Sequence, residues 1–531
     1  MLIVLTLLFA AVVRFLHLHW GNFYQLSVDP EYTLLYNGIV VSTGSFAINF
    51  IDHPATPSIF ISGLSSLFVR LFSAEGSFVH DFISRPESYL QASQLFQLLL
   101  ITFSCIYSGY KIRVYSQRKW MTYLPIVGLM SHYHLLEISI RFIPETTLLI
   151  PLFLMMALMI RFLYSGDQEK VQSKLLWQFP LLIGFGIACK LSFAPLFVLP
   201  LVILAGNKRK LWLLVRNTFL FTLLFAYPLF TNFTASSRWI TKMLSHSGKH
   251  GSGESGFMAF DRIPMHAKSL FLDNPIFWIL ILLNLIVLVH LYLKPQTSIL
   301  VKRVRRLMLG FLLSLLFLTL LILKHFALHY MMPFYVLSAM LLVFPLLHLQ
   351  VELNFSYKKQ SPILGGIALL LIVFTTLGTR QLWHEHEQWK NFQKQKQNEI
   401  QSLVKDEKAG LVIDAPHWGS PFPEYAHAFG FMHTYKRKTY FKEALRKKYP
   451  NFYLNVGWMP EFNHWDQFVD FDHIFSRSKV VYLYSGRGAN GMPSILERLK
   501  AYRASSSPIL QEVLWERQEN AQLIRLEKID P

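Results

Sequence analysis

Apolar residues come in long unbroken runs over roughly the first 380 positions, then give way to short ones. The runs are residues 1–20 and, further on, near 91–110, 119–137, 142–162, 175–205, 211–231, 273–293, 305–323, 327–348 and 361–379. A bilayer-spanning helix needs about 20 such residues, so each predicts a span. The first run has neither a basic leader nor a small-residue cleavage site and reads as a retained helix rather than a signal peptide. The run 175–205 is long for one span and short for two. Two short helices with a break near Lys190-Leu191-Ser192 resolve it, because basic clusters then fall on one side of the membrane. Those clusters are Lys111, Arg113, Arg118 and Lys119; Lys208, Arg209 and Lys210; Lys302, Arg303, Arg305 and Arg306; and Lys358 and Lys359. The count becomes about eleven spans, with the N-terminus cytoplasmic. Break and apex coincide: Lys190 sits at the outer turn, where a charge costs less than the roughly 3 kcal/mol expected at a helix centre.

Three segments are left outside: 21–90, 232–272 and the tail 380–531. The tail loses the apolar runs and carries short strand-like stretches at 410–414, 479–485 and 523–529, with a helical stretch at 439–449 between them. The pattern predicts an α-helical polytopic membrane domain over 1–379, followed by a small extracytoplasmic α/β domain over 380–531.

Composition agrees. The 531 residues are 53% hydrophobic and only 16% charged, against about a quarter charged in soluble proteins, and mean hydropathy is +0.34. A net charge of +19 would suit nucleic acid, but its placement in cytoplasmic loops removes that reading. Cys105 and Cys189 both lie in apolar runs, which argues against a disulfide scaffold or a Cys-based metal site. No Walker-A loop, dinucleotide fingerprint, HExxH or Cys/His metal spacing occurs.

The chemistry-bearing groups collect in the outer segments. In Ser27-Val28-Asp29-Pro30-Glu31-Tyr32, Asp29 reads as a helix cap with Pro30 in the first helical position and Glu31 in the first turn. The Tyr32, Leu35, Tyr36, Ile39, Val40 stripe suits a helix lying on the membrane surface. A capping Asp can also serve as a base. Asp52-His53-Pro54 opens a second apolar helix over 58–72. Around the outer turn between the third and fourth spans stand His132, His134, Glu137, Arg141 and Glu145, which either pair at four-residue spacing or serve function, as charges in long apolar runs commonly do. Lys190 has no acid near it in sequence. Lys324, His329 and Tyr330 mark another outer boundary, where Lys324 could simply snorkel. Carboxylates at Asp29, Glu31 and Asp52 beside cations at Arg141, Lys190 and Lys324 suit a membrane-embedded anion next to a base.

The order of these parts resembles the GT-C superfamily of integral-membrane glycosyltransferases. The branch it is most like holds protein O-mannosyltransferases and the lipid A aminoarabinose transferase. The carriers are Arg14-Phe15-Leu16 closing the first span, Asp29 to Tyr32, Gly44, Asp52-His53-Pro54, Arg141 with Pro144-Glu145, Lys190 before Pro195, and His329-Tyr330-Met331-Met332-Pro333. They cover roughly residues 1–350; the tail matches no known pattern. The family's adjacent Asp-Glu pair is split here by Pro30.

The resemblance implies a GT-C-like fold with interfacial helices in the first outer loop. It also implies an inverting transfer of a sugar from a polyprenyl-phosphate carrier to an extracytoplasmic acceptor. Asp29 matches the catalytic aspartate. Glu31, Tyr32, Asp52, His53, Arg141, Glu145, Lys190, Lys324, His329 and Tyr330 fall to donor binding. This branch generally needs no cofactor, although Asp29, Glu31 and Asp52 leave room for a divalent metal. The implied partners are the lipid-linked sugar, membrane lipids and an acceptor that is protein, lipid or glycan, in a plasma (inner) membrane. A polytopic transporter or lipid-carrier flippase is the alternative from another class.

Overall fold

The computed structural model describes the chain except residues 49–53, 73–76, 167, 247–259, 294–297, 325, 353–356, 405–407, 415–418, 435–437, 457–460, 487–488, 490, 506–507, 518–520 and 530–531. It forms two compact units, each assembled from separate stretches of sequence.

The first unit comprises Met1–Leu16, Ile51–Ser58 and Gln94–Trp383. Among the described residues six helices are long and apolar enough to cross a membrane: Leu2–Trp20, Pro86–Ser116, Pro144–Tyr164, Pro275–Leu293, Ile299–Lys324 and Leu328–Gln350. Shorter apolar helices, such as Leu191–Ile203, accompany them. Ile3, Leu7, Leu8 and Phe15 on the first helix, and Ile279, Ile286 and Val289 on Pro275–Leu293, are exposed. Such faces are unfavourable in water and at home in lipid, where only internally hydrogen-bonded helices persist. Pro144–Tyr164 is different, with Leu149, Leu152, Phe153, Met156, Met159 and Ile160 all fully buried at the centre of the bundle.

The long run 175–205 does break where the charge pattern requires. Helix Gln168–Cys189 stops, Lys190 is extended at φ −159°, and a 3₁₀ stretch, Leu191–Phe197, follows. Two glycines permit this. A Cβ on Gly186 would overlap the Phe193 ring, which folds back onto it, and one on Gly184 would lie 2.7 Å from both Phe221 Cβ and the Thr222 nitrogen. The latter lets Gln168–Cys189 approach the neighbouring helix Lys208–Phe225 closely.

The second unit joins His17–Phe50 and Ile59–Ser93 to His384–Pro531. Its sheet has seven strands in the order β4-β3-β2-β1-β5-β7-β6. These are β1 (Gly410–Asp414), β2 (Phe452–Asn455), β3 (Phe462–Asn463), β4 (Phe468–Val469), β5 (Val480–Ser485), β6 (Ile509–Arg517) and β7 (Ala521–Lys528). Strand β1 is parallel to both β2 and β5, with β7 antiparallel to β5. Parallel neighbours need helical crossovers, and Pro423–Met432, Lys438–Lys448 and Phe471–Arg477 supply them. Val412, Val481, Leu483, Ile474, Ile495 and Ile524 form the core. The parallel strands end in a buried polar clasp. Asp414 Oδ1 accepts from Asn455 Nδ2 at 2.8 Å and Asp414 Oδ2 from the Gly491 amide at 2.8 Å.

Helix Glu31–Ser42 belongs to this unit. Every residue from Glu31 to Val40 is buried, so the apolar stripe is only part of a helix covered on all faces. Its cap position falls on Pro30, not on the expected Asp29, because helical geometry begins at Glu31. Gly430 of Pro423–Met432 sits so close that a Cβ there would overlap the Tyr36 ring and lie 2.9 Å from the Tyr32 carbonyl oxygen. Tyr36 Oη and His427 Nδ1 are 2.8 Å apart, and Asn37 Nδ2 donates to the His433 carbonyl at 3.2 Å. Tyr36 also packs on Phe82 and Phe441 at centroid distances of 4.9 and 4.8 Å.

Two measurements follow from this contact. Gly430→Ala forces Tyr36 aside, an overpacking change costing about 1–3 kcal/mol; thermal unfolding of the purified variant reads it as a lowered midpoint. Burial, then the Lys448 charge, pull the His427 pKa down to about 3, whereas in the unfolded chain it is near 6.5. The unfolded state therefore binds the extra proton, and His427's contribution is full above about pH 6.5 and declines as pH falls toward 3. Unfolding midpoints should fall over that window, with a shallower slope in His427→Gln.

Candidate functional site

In the first unit four of the singled-out residues come together. Glu145 stands in the first turn of Pro144–Tyr164, where Pro144 occupies the opening position and an acid suits the helix dipole. Lys190 stands at the helix break. Their side chains pair directly, Nζ to Oε1, with Lys190 4% and Glu145 6% exposed. His329 Nε2 lies 3.3 Å from the same Glu145 oxygen. The Lys190 ammonium sits over the Tyr330 ring, 4.5 Å from its centroid, a favourable place for a partly desolvated cation. The His329 side chain is 44% exposed, so the pair is sealed on most sides and open towards His329.

The chain before helix Thr56–Leu71 is fastened to this cluster. The Ala55 amide donates to the Cys189 carbonyl at 3.0 Å, immediately before Lys190. Ala55 has φ +47°, a left-handed conformation that costs a non-glycine residue about 1–3 kcal/mol and persists where surroundings over-determine it. Ser58 and Thr147 hydroxyls are 2.7 Å apart, and Gln97 Nε2 donates to Thr147 Oγ1 at 2.7 Å and to the Ile143 carbonyl at 3.1 Å. Ala55, Ser58, Gln97 and Thr147 carry no charge and no motif, so the sequence offered no signal for them. Asp52 and His53, just before them, lie outside the described residues.

Arg141 closes helix Tyr133–Ile140, its amide donating to Ile138 and its carbonyl accepting from Thr146 Oγ1 at 3.1 Å. Lys324 is buried and donates to the Leu244 carbonyl at 2.8 Å, so it serves at least the end of helix Phe233–Ser245.

Asp29, Glu31 and Tyr32 belong to the second unit. Tyr32 Oη donates to Glu87 Oε1 at 2.9 Å, and the Tyr24 amide donates to the same oxygen at 3.1 Å. Glu87, which sequence reasoning passed over, thus ties together both ends of the segment containing Asp29 and Glu31. The available signal was the Pro86-Glu87 pair, a proline followed by an acid in the first turn of a helix. Burial, and after it the charges of Asp29 and Asp414, push the Tyr425 hydroxyl well above its ordinary range, which places both carboxylates in its electrostatic neighbourhood.

No protein-family model matches the chain, and no curated protein matches it. Among solved structures it is similar to the crystal structure of ArnT from Cupriavidus metallidurans bound to undecaprenyl phosphate. The TM-score is 0.49 and sequence identity 12%, over 98% of this chain and 97% of that one.

Chemically, Lys190 is a buried cation balanced by one carboxylate and backed by an aromatic face, arranged to receive an anion. Removing one member of a buried pair strands the other, at about 3–5 kcal/mol, whereas replacing both with apolar groups is close to neutral. Glu145→Ala or Lys190→Met alone should therefore lower the unfolding midpoint in detergent sharply. The double variant Glu145→Leu/Lys190→Met should recover most of it.

Proposed function

We propose that this chain is an inverting glycosyltransferase that moves a sugar from a polyprenyl-phosphate carrier to an extracytoplasmic acceptor. The observation that carries the reading is the assembly of Glu145, Lys190, His329 and Tyr330 around one buried cation. These residues come from three of the matched motifs, and the backbone after His53-Pro54 is fastened to the same place.

In the proposed reaction the acceptor oxygen or nitrogen attacks the anomeric carbon opposite the phosphate. The bond from that carbon to the phosphate oxygen breaks, and the electron pair leaves with polyprenyl phosphate. A phosphate is a good leaving group at neutral pH, so no strong general acid is required. Lys190 stabilises the charge that develops on it, an electrostatic effect worth most in a dry site. Glu145 keeps Lys190 charged and oriented until the donor arrives. Asp29 takes the proton released by the acceptor. Asp29, Glu31 and Asp52 are the groups that would hold a divalent cation if one is used, and no step above depends on it.

The test is turnover in nanodiscs with a panel of polyprenyl-phosphate sugars, following release of free polyprenyl phosphate. One sugar should give turnover, and Asp29→Asn should reduce it by about 10²–10⁴-fold, the usual worth of a general base. Unchanged turnover in that variant would remove Asp29 from the role. Absence of both turnover and carrier-lipid binding would overturn the transferase reading, and lipid-dependent substrate translocation would then be measured instead.

A further inference from the structure

His132 and His134 precede and open helix Tyr133–Ile140, and neither takes part in the Lys190 cluster. In the first unit they meet Asp273, the last residue of helix Ile263–Asp273. His134 Nε2 is 3.3 Å from Asp273 Oδ1, and His132 Nε2 is 3.7 Å from Asp273 Oδ2. One donor atom from each residue lies within 4.8 Å of the others. The side chains of His132 and Asp273 are each 5% exposed.

Each ligand-bearing group is held from behind. His134 Nδ1 is 2.9 Å from Glu137 Oε2, and Tyr335 Oη donates to Asp273 Oδ2 at 2.6 Å. The His132 ring stacks on Tyr335 at 4.6 Å between centroids. A carboxylate on the far nitrogen of a histidine, and a donor on a ligating carboxylate, are the outer contacts that orient metal ligands.

We propose that His132, His134 and Asp273 form a binding site for one divalent transition metal of the zinc class, with Glu137 and Tyr335 as its supporting contacts. Two imidazoles and one carboxylate suit zinc and its neighbours rather than magnesium or calcium, which favour all-oxygen sets. Bonds of about 2.0–2.1 Å to a tetrahedral ion place ligand atoms about 3.3 Å apart, the spacing already present between His134 and Asp273. Three protein ligands leave a fourth position for water or a substrate oxygen.

The cluster is also self-consistent without metal, which sets what binding must displace. His134 has a carboxylate oxygen at each ring nitrogen, Asp273 at 3.3 Å from Nε2 and Glu137 at 2.9 Å from Nδ1. His132 Nδ1 accepts from the His134 amide at 3.3 Å and Nε2 faces the Asp273 carbonyl at 3.2 Å. Ligation through Nε2 moves the His132 proton to Nδ1 and gives up that long cap contact. The metal would clip the loop at Ser131–His132 to the end of helix Ile263–Asp273, which the Tyr335 hydroxyl ties in turn to helix Leu328–Gln350. Tyr335 lies little more than one turn along that helix from Tyr330.

The experiment uses the full chain in detergent, affinity tag removed and stripped with a chelator. Zinc is titrated against a chromophoric chelator, and cobalt is added separately to read the visible spectrum. One equivalent of zinc should bind, and cobalt should give the intense absorption of a four-coordinate ion. Asp273→Asn and His134→Gln should abolish both, and Glu137→Gln should weaken zinc binding about 10–100-fold. The wild-type titration decides even if Asp273→Asn misfolds. No stoichiometric uptake, or uptake unchanged in these variants, overturns the site and leaves the cluster an ion-pair network.

Discussion

An ammonium group inside an apolar helical bundle must be neutralised, and the architecture around Lys190 follows from that. Isolated, the charge would cost several kcal/mol, so a carboxylate has to be delivered to it from elsewhere in the fold. Pro144 and Glu145 deliver it at a helix start, where a carboxylate also suits the helix dipole. The helix carrying Lys190 has to stop there too, since a continued turn would carry the side chain elsewhere. Gly186 makes the stop workable by giving Phe193 space to fold back. Thr147, Ser58 and Gln97 then fix the chain after His53-Pro54 against the same turn. Polar contacts this close together in an apolar bundle specify one arrangement, because a slipped helix would leave several of them buried and unpaired.

The second unit shows a different economy. Helix Glu31–Ser42 is buried from Glu31 to Val40, and C-terminal residues such as Gly430 and His433 cover it. Gly430, Tyr36 and His427 make that cover close-fitting, and Glu87 pins Tyr24 and Tyr32 on either side of Asp29. On the proposed reading Asp29 is the base and gains from such fixing, since reactivity depends on position to within about an ångström. The cost is visible at His427, buried neutral where an unfolded histidine would charge in mild acid.

Much of this was legible in the sequence where one physical signal dominated. The break at Lys190 came from charge placement alone. Strands β1, β5 and β7 were read close to their observed ends because they are short apolar runs in a polar tail. The edge strand β6 was missed: Glu512 and Glu516 interrupt its pattern, as charges do on edges. Strands β3 and β4 are only two residues each and carry no period. Asp29 was read as a cap because Asp-Pro-Glu is a common helix opening, and nothing local says that helical geometry begins one residue later. The pairing of Lys190 with Glu145 was out of reach, since the two stand 45 positions apart. Both residues were nevertheless singled out, because charges within apolar runs are rare.

The same limit explains Asp273. His132 and His134 were noticed, but a His-x-His pair has no fixed partner spacing, and the acid comes from a helix end that reads as an ordinary span boundary. Charge rarity is therefore a good detector of individual residues and a poor one of their partners. On the proposed reading this matters for mechanism. Glu145 holds Lys190 at rest, so an incoming phosphate competes with Glu145 for the cation. The donor gains only the difference between two ion pairs, and binding stays reversible. The gain grows as the anomeric bond breaks and negative charge concentrates on the leaving oxygen. A cation already paired in the resting state thus favours the transition state over the bound donor, which is the condition for lowering the barrier.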